Sequence, residues 1–251
     1  MKNEVLKQLA NRKSVRVFED REIPREDKAA IITAAAMAPT AGNQQLYTIL
    51  DVTDQELKDR LADLCDHQPF IAKANLVLAF CADCKKWYDA FAAAGCSPRR
   101  PGAGDLLLAV DDALIAAQNA VTAAESLGIG SCYIGDVMEN CEQMRDLLQL
   151  PRYVFPAALL VFGYPTEQQK NRKKPQRIDE KYLVHENTYH PMTDRELADM
   201  LAYKAGEKDY DAWIQAFCDR KYNSDFSKEM SRSVGVYLRD FLDGAEESLD
   251  E

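Results

Sequence analysis

The sequence predicts an α+β fold, and three observations support that prediction. Helical and strand patterns mix along the chain without the regular alternation of a doubly wound parallel sheet. An alanine-rich pattern over 105–128 is apolar on more than one face, which predicts one long helix running through the core. From about His190 the chain shows helical patterns and no strand signal. We therefore expect a body over 1–190 and a helical extension over 191–251 that packs on the body or on a second subunit.

The elements of the first half follow from caps, breakers and periodicity. The stretch 23–40 predicts a helix with Pro24 in its first turn and a stop at Pro39. The run "LYTILDVT" then predicts a strand. Asp54 stands where an N-cap belongs, ahead of a helix in which leucines recur at helical spacing. The run "ANLVLAFCAD" predicts a buried strand.

The second half is predicted in the same way. The segment "GCSPRRPGAGD" has the composition of a loop, and the long helix after it ends at Gly128. A further helix over 139–150 is closed by Pro151, and the apolar run "PAALLVFGYP" predicts a strand that ends in a turn. The segment 85–104 carries the weakest structural signal of the chain.

Composition excludes several classes of function. The formal net charge is -10 and the pI is near 4.9, which argues against nucleic acid and against an anionic membrane surface as partners. There is no run of about 18 apolar residues and no apolar signal core at the N-terminus, so we expect neither a membrane span nor secretion. Seven cysteines at irregular spacings favour reduced thiols in a cytoplasm over a disulfide framework. Cys81 and Cys84 have CxxC spacing, but no second pair completes a metal site, and we expect no metal.

Two basic clusters stand out in this acidic chain. The first, "NRKSVRVFED", places Arg12, Lys13 and Arg16 around Ser14. The second, "KNRKKPQR" over 170–177, follows a predicted strand and turn. Each could be a solvated charged segment, but lysine and arginine also hold phosphate through charge-assisted hydrogen bonds. Together the two clusters favour convergence on one small anion.

A glycine-containing turn supplies the third element. In "SLGIGSCYIGDV", Gly128 fits a helix C-cap followed by a tight connection. Gly135 comes after an apolar pair and could present a backbone N–H to a flat ring, because glycine lets a ligand approach closely. Signatures of an ATP P-loop and of a Rossmann dinucleotide site are both missing from the sequence.

With these elements in order, the chain resembles the nitroreductase family of flavin oxidoreductases, and most of all its flavin reductase and nitroreductase A branch. The resemblance covers roughly residues 3–190 and is carried by "NRKSVRVFED", "AAAMAPTAGNQQ", "HQPFIAKANLVLAFCAD", "AAESLGIGSCYIGD", "VFGYP" and "LVHENTYHP". It implies a central mixed, mostly antiparallel sheet wrapped by helices. It also implies an FMN-binding body over 1–190 and a homodimer with the flavin at the interface.

The resemblance also implies which residues form the site. Arg12, Lys13, Ser14 and Arg16 would bind the FMN phosphate and ribityl chain. Other cofactor contacts would come from Thr40 (usually of the partner subunit), Gln68, Ile134, Gly135, Lys174 and Arg177, while Asn43 would lie nearer the substrate. The second basic cluster departs from the family pattern, so its alignment with that pattern leaves open which of Arg172, Lys174 and Arg177 would contact the phosphate. Counting back from "LVHEN" favours Arg177. The tail matches the NADPH-binding segment of the branch poorly, which leaves NADPH and NADH both open as donors.

The function implied is an FMN-dependent NAD(P)H oxidoreductase. A ping-pong cycle through flavin N5 would reduce nitroaromatics, quinones or free flavin, and it requires no acid–base side chain from the protein. His67, His185 and His190 are therefore interpreted as loop or packing residues. The alternatives are a reductase of the same fold with a narrow substrate, such as a dehalogenase or ene reductase, a protein that stores or senses FMN without turnover, and a helical interaction module with both basic clusters solvated.

Overall fold

The computed structural model describes residues 3–242, and over that range the chain forms one four-stranded sheet and eleven α-helices. The strands are β1 Tyr47–Asp51, β2 Leu76–Asp83, β3 Gly130–Ile134 and β4 Val154–Gly163. All neighbouring strands pair antiparallel, in the order β1-β2-β4-β3. The α+β prediction with a mostly antiparallel sheet is confirmed. The part of the expected extension beyond Leu242 lies outside the described residues.

The helices account for most of the remaining ordered chain. In order they are α1 Glu4–Asn11, α2 Arg25–Ala36, α3 Gln55–Leu64, α4 Pro69–Ala72, α5 Lys85–Ala93, α6 Ala103–Ser126, α7 Cys141–Leu148, α8 Glu167–Asn171, α9 Asp194–Ala205, α10 Tyr210–Lys221 and α11 Asp225–Leu242.

Local signals define the helix ends close to where the sequence predicts them. Asp54 caps α3, since its carboxylate accepts a hydrogen bond of 2.8 Å from the Leu57 N–H. Pro24 is the N-cap of α2, which begins one residue later and ends before Pro39. Gly128, with φ of +73°, follows the end of α6 and donates its N–H to the Glu125 carbonyl at 3.1 Å. That left-handed conformation suits glycine and explains where the long helix ends.

Each face of the sheet carries its own apolar core. Along β2, Leu78 and Phe80 face a cluster that includes α2, α6 and the C-terminal part of α11. The alternate residues Val77 and Ala79 face a second cluster formed with α3, α4 and α7. All of β2 and β4 is buried because both faces are covered. By length and composition alone α6 could cross a membrane, but 44% of its most apolar window is buried in this fold, as in the core helix of a layered domain.

Two elements are absent from the sequence-based description. The segment after Gly128 forms β3 and not merely a tight connection, because its residues pair with β4 from Gly130 opposite Gly163 to Ile134 opposite Leu159. Helix α5 occupies most of the weakly patterned segment 85–104. The predicted loop over 95–105 includes the first turn of α6, which begins at Ala103. Strand β3 depends on pairing with a distant part of the chain, which a short sequence window does not contain.

The chain divides into two compact units. Among the described residues, one unit comprises 3–173 and 230–242, and it contains the sheet. The other comprises residues 174–229 and contains α9 and α10. In this second unit Thr193 and Glu196 form a capping box at the start of α9, and the rings of Trp213 and Phe217 lie 5.3 Å apart. The functional division at residue 190 stays a prediction.

Candidate functional site

Residues 12–18, which we call the strap, pass the edge strand β3 at Ser131 and reach the segment after β4, where Phe18 forms an antiparallel bridge with Pro165. Ser14 forms a parallel bridge with Ser131, and the Val15 N–H donates to the Ser131 carbonyl at 2.9 Å. A side chain at Gly130 would clash with the strap, since a Cβ there would lie 2.6 Å from Val15 Cγ2. The strap can lie this close to the sheet only because position 130 is glycine.

Two arginines of the strap carry charge that the protein leaves uncompensated. Within residues 3–242, neither Arg12 nor Arg16 forms an ion pair, and the buried Nε of Arg12 has no hydrogen-bond partner. The Arg12 guanidinium lies 5.9 Å from the Tyr133 ring centroid. The exposed side chain of Arg16 lies 5.9 Å from the ring centroid of Phe70 in α4. An anion with several acceptor oxygens would satisfy donors of this kind.

Lys13 has a different environment. Its ammonium group donates to the carbonyl oxygens of Lys170 and Arg172, the first at 2.6 Å. In return the Arg172 guanidinium donates to the carbonyl oxygen of Ser14. This reciprocal contact, the Lys13–Arg172 latch, brings the start of the second basic cluster against the strap. It engages Lys13 with protein acceptors.

Lys174 and Arg177, at the end of the second basic cluster, belong to the second unit. Lys174 is half-buried, and Arg177 is exposed and borders a cavity of about 410 Å³ formed with Ile178, Tyr203 and Lys204. The structure thus brings Arg172 to the strap. The assignment of Arg177 as a phosphate-binding residue stays a prediction.

The far end of β3 presents the glycine turn. Ile134 is 2% exposed and ends the strand, and the exposed Gly135 begins a 3₁₀ turn, Asp136–Met138. Four residues of near-extended chain separate Gly135 from Ser131, a span of roughly 13 Å. The site is therefore elongated, with positive charge at one end and an accessible backbone at the other.

Gln68 lies at the N-cap of α4, two residues before Phe70. Its side-chain amide donates to the Cys65 carbonyl at 2.8 Å, which fixes the turn into α4. Because Phe70 contacts Arg16, the structure brings Gln68 into the neighbourhood of the strap. The adjacent His67 is largely exposed and lies 3.7 Å from Asp63, in agreement with its interpretation as a loop residue.

Two side chains beside the strap are neutral at physiological pH. Burial raises the pKa of the Cys132 thiol, and the positive charge of Arg16 partly opposes that shift. Burial raises the pKa of Tyr133 to about 12, against the opposing charge of Arg12. Because both groups stay protonated and uncharged, neither one neutralises the positive charge of Arg12 and Arg16.

Thr40 and Asn43 lie in a turn that α6 organises. The turn is held by Asp112, which is 2% exposed and comes from the middle of α6. Its carboxylate accepts hydrogen bonds from the Thr40 hydroxyl, from the Ala41 N–H at 2.9 Å and from the Leu46 N–H at 3.0 Å. Asn43 is exposed and has a φ of 55° within this turn.

Sequence reasoning misses Asp112, Cys132 and Gln169. Gln169 is 7% exposed and its side-chain oxygen accepts from the Arg16 N–H at 3.3 Å, so it helps to hold the strap. For Asp112 a signal exists, because a carboxylate within an apolar helix at the spacing of buried alanines must find donors. For Cys132 and Gln169 the sequence carries no such signal.

The residues present fit a cofactor with a phosphate, a linker and a flat ring. The unpaired Arg12 Nε is buried at the strap, while Gly135 leaves one side of its backbone open. The CxxC cysteines have no comparable role: burial raises the pKa of the Cys81 and Cys84 thiols to about 12. Among residues 3–242, no group of three or more metal-ligating side chains is arranged to hold a metal ion.

Comparison with known proteins agrees with this geometry. The model of the nitroreductase family matches residues 9–164, more than half of the chain. The FMN reductase [NAD(P)H] of Bacillus subtilis is 32% identical over 237 residues, covering 94% of this chain and 91% of that protein. The oxygen-insensitive NADPH nitroreductase of Salmonella typhimurium is 35% identical over 191 residues, covering 76% of each chain.

A solved structure shares the fold. The NADPH:FMN oxidoreductase of Vibrio harveyi, complexed with NAD+, superposes with a TM-score of 0.79 at 25% identity, covering 94% of this chain and 98% of that one. The similarity therefore extends beyond the sheet and the strap to nearly the whole length of both chains.

Proposed function

Because the chain belongs to the nitroreductase family of FMN-dependent oxidoreductases, we propose that it transfers electrons from NAD(P)H to nitroaromatic, quinone or free-flavin acceptors in two successive half-reactions. The observation that supports this proposal most directly is the pair Arg12 and Arg16, whose charge is uncompensated beside an edge strand that ends in the exposed Gly135. FMN, when bound, supplies the hydride chemistry at N5 of its ring.

The chain holds and orients this cofactor. Arg12, Lys13, Ser14 and Arg16 would hold the phosphate and the ribityl chain, and Lys13 also holds the segment that brings Arg172 to the strap. Ile134 and Gly135 would hold the ring, with a backbone N–H supplied by Gly135. Gln68 contributes from the start of α4. In the register that the sequence favours, Lys174 and Arg177 would provide the remaining phosphate contacts. No side chain is assigned an acid–base role.

We further propose a homodimer in which the 40–46 turn of one subunit completes the flavin site of the other. Thr40 would contact the flavin and Asn43 the substrate. The support is an exposed apolar surface on helices α1 and α6, formed by Val5, Leu6, Leu9, Leu114 and Ile115. A contiguous exposed apolar surface is one of the features that mark protein–protein contact sites. All seven cysteines are free thiols, which favours a cytoplasmic location.

Anaerobic stopped-flow absorbance tests the function. NAD(P)H should bleach the visible flavin band of the purified holoprotein, and a nitroarene or quinone added afterwards should restore it. Bleaching without recovery would indicate a narrower acceptor, as in a dehalogenase or ene reductase. A flavin that NADPH and NADH both fail to bleach would overturn the proposal in favour of a storage or sensing protein.

A further inference from the structure

A cavity of about 390 Å³ lies between α5 and the start of α6. Its aromatic wall is formed by Trp87, Tyr88 and Phe91 of α5, and its floor by the buried residues Leu46 and Cys84. The segment 96–101 closes the opposite side. The volume is within the range of small-molecule sites, which are about 300–1,000 Å³.

The cavity walls are fixed by the protein's own hydrogen bonds. The indole N–H of Trp87 donates to the Gln44 carbonyl at 2.7 Å, and the rings of Trp87 and Phe91 lie 5.6 Å apart with a tilt of 42°. On the other side Arg99 forms a forked contact with Asp105, at 2.5 and 2.9 Å. Asp105 also accepts from the Gly102 N–H at 2.8 Å. A ligand would therefore meet a site that needs little ordering.

The lining has no net charge. Arg99 and Asp105 are the charged residues of the lining, and they neutralise each other. An anionic ligand would have to compete with Asp105 for Arg99, which costs the free energy of the ion pair. A neutral ring can bind without breaking that ion pair. At the same time Phe91 remains 39% exposed and Leu108 50% exposed, so apolar area is available for a ligand to cover.

We propose that this cavity binds neutral planar aromatic molecules and selects them over anionic ones of the same shape. Tilted aromatic rings accept a flat ring by offset or edge contacts, and the Ser97 hydroxyl and the Gln44 amide provide donors for a nitro or quinone oxygen. Because Gln44 follows Asn43 in the turn that Asp112 holds, the site adjoins the proposed acceptor position. In this respect the inference rests on the proposed function, and it adds the class of acceptor.

Binding is measured by quenching of Trp87 fluorescence in the oxidised holoprotein, without NAD(P)H. The chain has two tryptophans, so Trp213→Phe leaves Trp87 as the sole reporter. The probes are 4-nitrotoluene and 4-nitrobenzoate, which share a nitroarene ring and differ in charge. We expect saturable quenching by 4-nitrotoluene and at least about tenfold weaker binding of 4-nitrobenzoate. The Trp87→Phe variant, in which Trp213 reports, controls for collisional quenching and should respond linearly.

The charge argument is tested by separating the ion pair. Asp105→Asn keeps a capping side chain but frees Arg99, so 4-nitrobenzoate should gain about tenfold in affinity. Arg99→Gln should have the opposite effect and weaken 4-nitrobenzoate further. Phe91→Ala should weaken 4-nitrotoluene roughly three- to tenfold, whereas Tyr222→Ala, which removes another exposed aromatic side chain, should leave its affinity unchanged.

Non-saturating quenching of Trp87, or equal affinities for the two nitroarenes in the parent and in both charge variants, would overturn the proposal. Failure of the proposed function gives a different result, because quenching is measured without turnover. A protein that binds 4-nitrotoluene saturably but is not bleached by NADPH or NADH would keep the cavity assignment and lose the enzymatic one. A protein that transfers electrons from NAD(P)H to an acceptor but shows no saturable quenching would keep the enzymatic assignment and lose the cavity assignment.

Discussion

The carboxylate of Asp112 accepts a hydrogen bond from the hydroxyl of Thr40, joining the middle of the core helix to the turn that carries Asn43. The same carboxylate accepts from two backbone N–H groups of that turn, at Ala41 and Leu46. A single buried side chain of α6 thus holds the turn that carries Thr40 and Asn43.

Asp112→Ala should destabilise the protein and loosen the 40–46 turn. Three donors would lose their acceptor, and we expect a loss of about 3 kcal/mol in the free energy of unfolding, measured by urea denaturation of the FMN-loaded protein. The matched control is Asp111→Ala, which removes the exposed neighbouring carboxylate of the same helix and should change stability little. Equal losses for the two variants would show that helix α6, and not the turn, is what Asp112 supports.

Arg16→Ala should weaken FMN binding roughly ten- to a hundredfold, because it removes charge-assisted hydrogen bonds to the phosphate. The purified parent should be yellow, with about one FMN per chain, and should bind riboflavin much more weakly. The variant should leave riboflavin affinity nearly unchanged, as that ligand carries no phosphate. Equal affinities of the parent for FMN and riboflavin would contradict the assignment. Arg195→Ala, an exposed arginine of the second unit, serves as the control.

Arg177→Ala should weaken FMN binding to a similar extent if the register favoured by the sequence is right. When combined with Arg16→Ala, its effect should be less than additive, since the two side chains would share one phosphate. Arg172→Ala provides the comparison, because Arg172 is the residue that contacts the strap. A loss of affinity in Arg172→Ala alone, with Arg177→Ala unchanged, would transfer the phosphate contact to Arg172.

Ile115→Glu should dissociate the proposed dimer. It places a carboxylate on the exposed apolar face of α6, and burying that carboxylate against a second copy costs free energy when no opposite charge pairs with it. Light scattering of the FMN-loaded protein should give twice the chain mass for the parent and a lower value for the variant. Tyr222→Glu places a charge at another exposed aromatic position and should leave the mass unchanged. A parent monomer that retains FMN would contradict the shared site.

Stability should fall as the pH rises above 9. Burial raises the pKa of Cys81 from 9.0 to about 12, so between these values the thiol ionises in the unfolded chain while it stays protonated in the folded one. The contribution is fully present below pH 9 and decreases by about 1.4 kcal/mol per pH unit. Cys81→Ala should therefore show a shallower alkaline decline in the free energy of unfolding. Cys218→Ala, which removes an exposed thiol, should retain the parent slope.

The parts of the fold that are predicted from the sequence depend on local signals. Asp54 and the leucines after it specify α3 without help from the rest of the chain, and the apolar run of β2 is specific because it is buried on both faces. Strand β3 is different, because its five residues are defined by pairing with β4 across a long sequence interval. Pairings of this kind cannot be read from a short window.

The same distinction applies to the site. The strap was predictable as a unit because its basic residues lie within five positions of one another. The partners that fix it were not, since Gln169 and Arg172 are more than 150 residues away in sequence. Asp112 is predictable only in part. Its spacing from the buried Ala109 and Ala116 indicates a buried carboxylate, but its hydrogen-bond donors belong to a separate turn that the spacing does not identify.

The Lys13–Arg172 latch determines when the strap can be fixed in place during synthesis. The two hydrogen bonds from Lys13 join residues 157 and 159 positions apart, so the strap cannot be secured until the ribosome has translated the chain past Arg172. A nascent chain that carries only the N-terminal basic cluster has the strap but lacks the segment that holds it in place. Contacts between such distant positions form late in folding, because they must first overcome the entropy of closing a long loop. Fixing of the strap is therefore coupled to synthesis of the chain through Arg172.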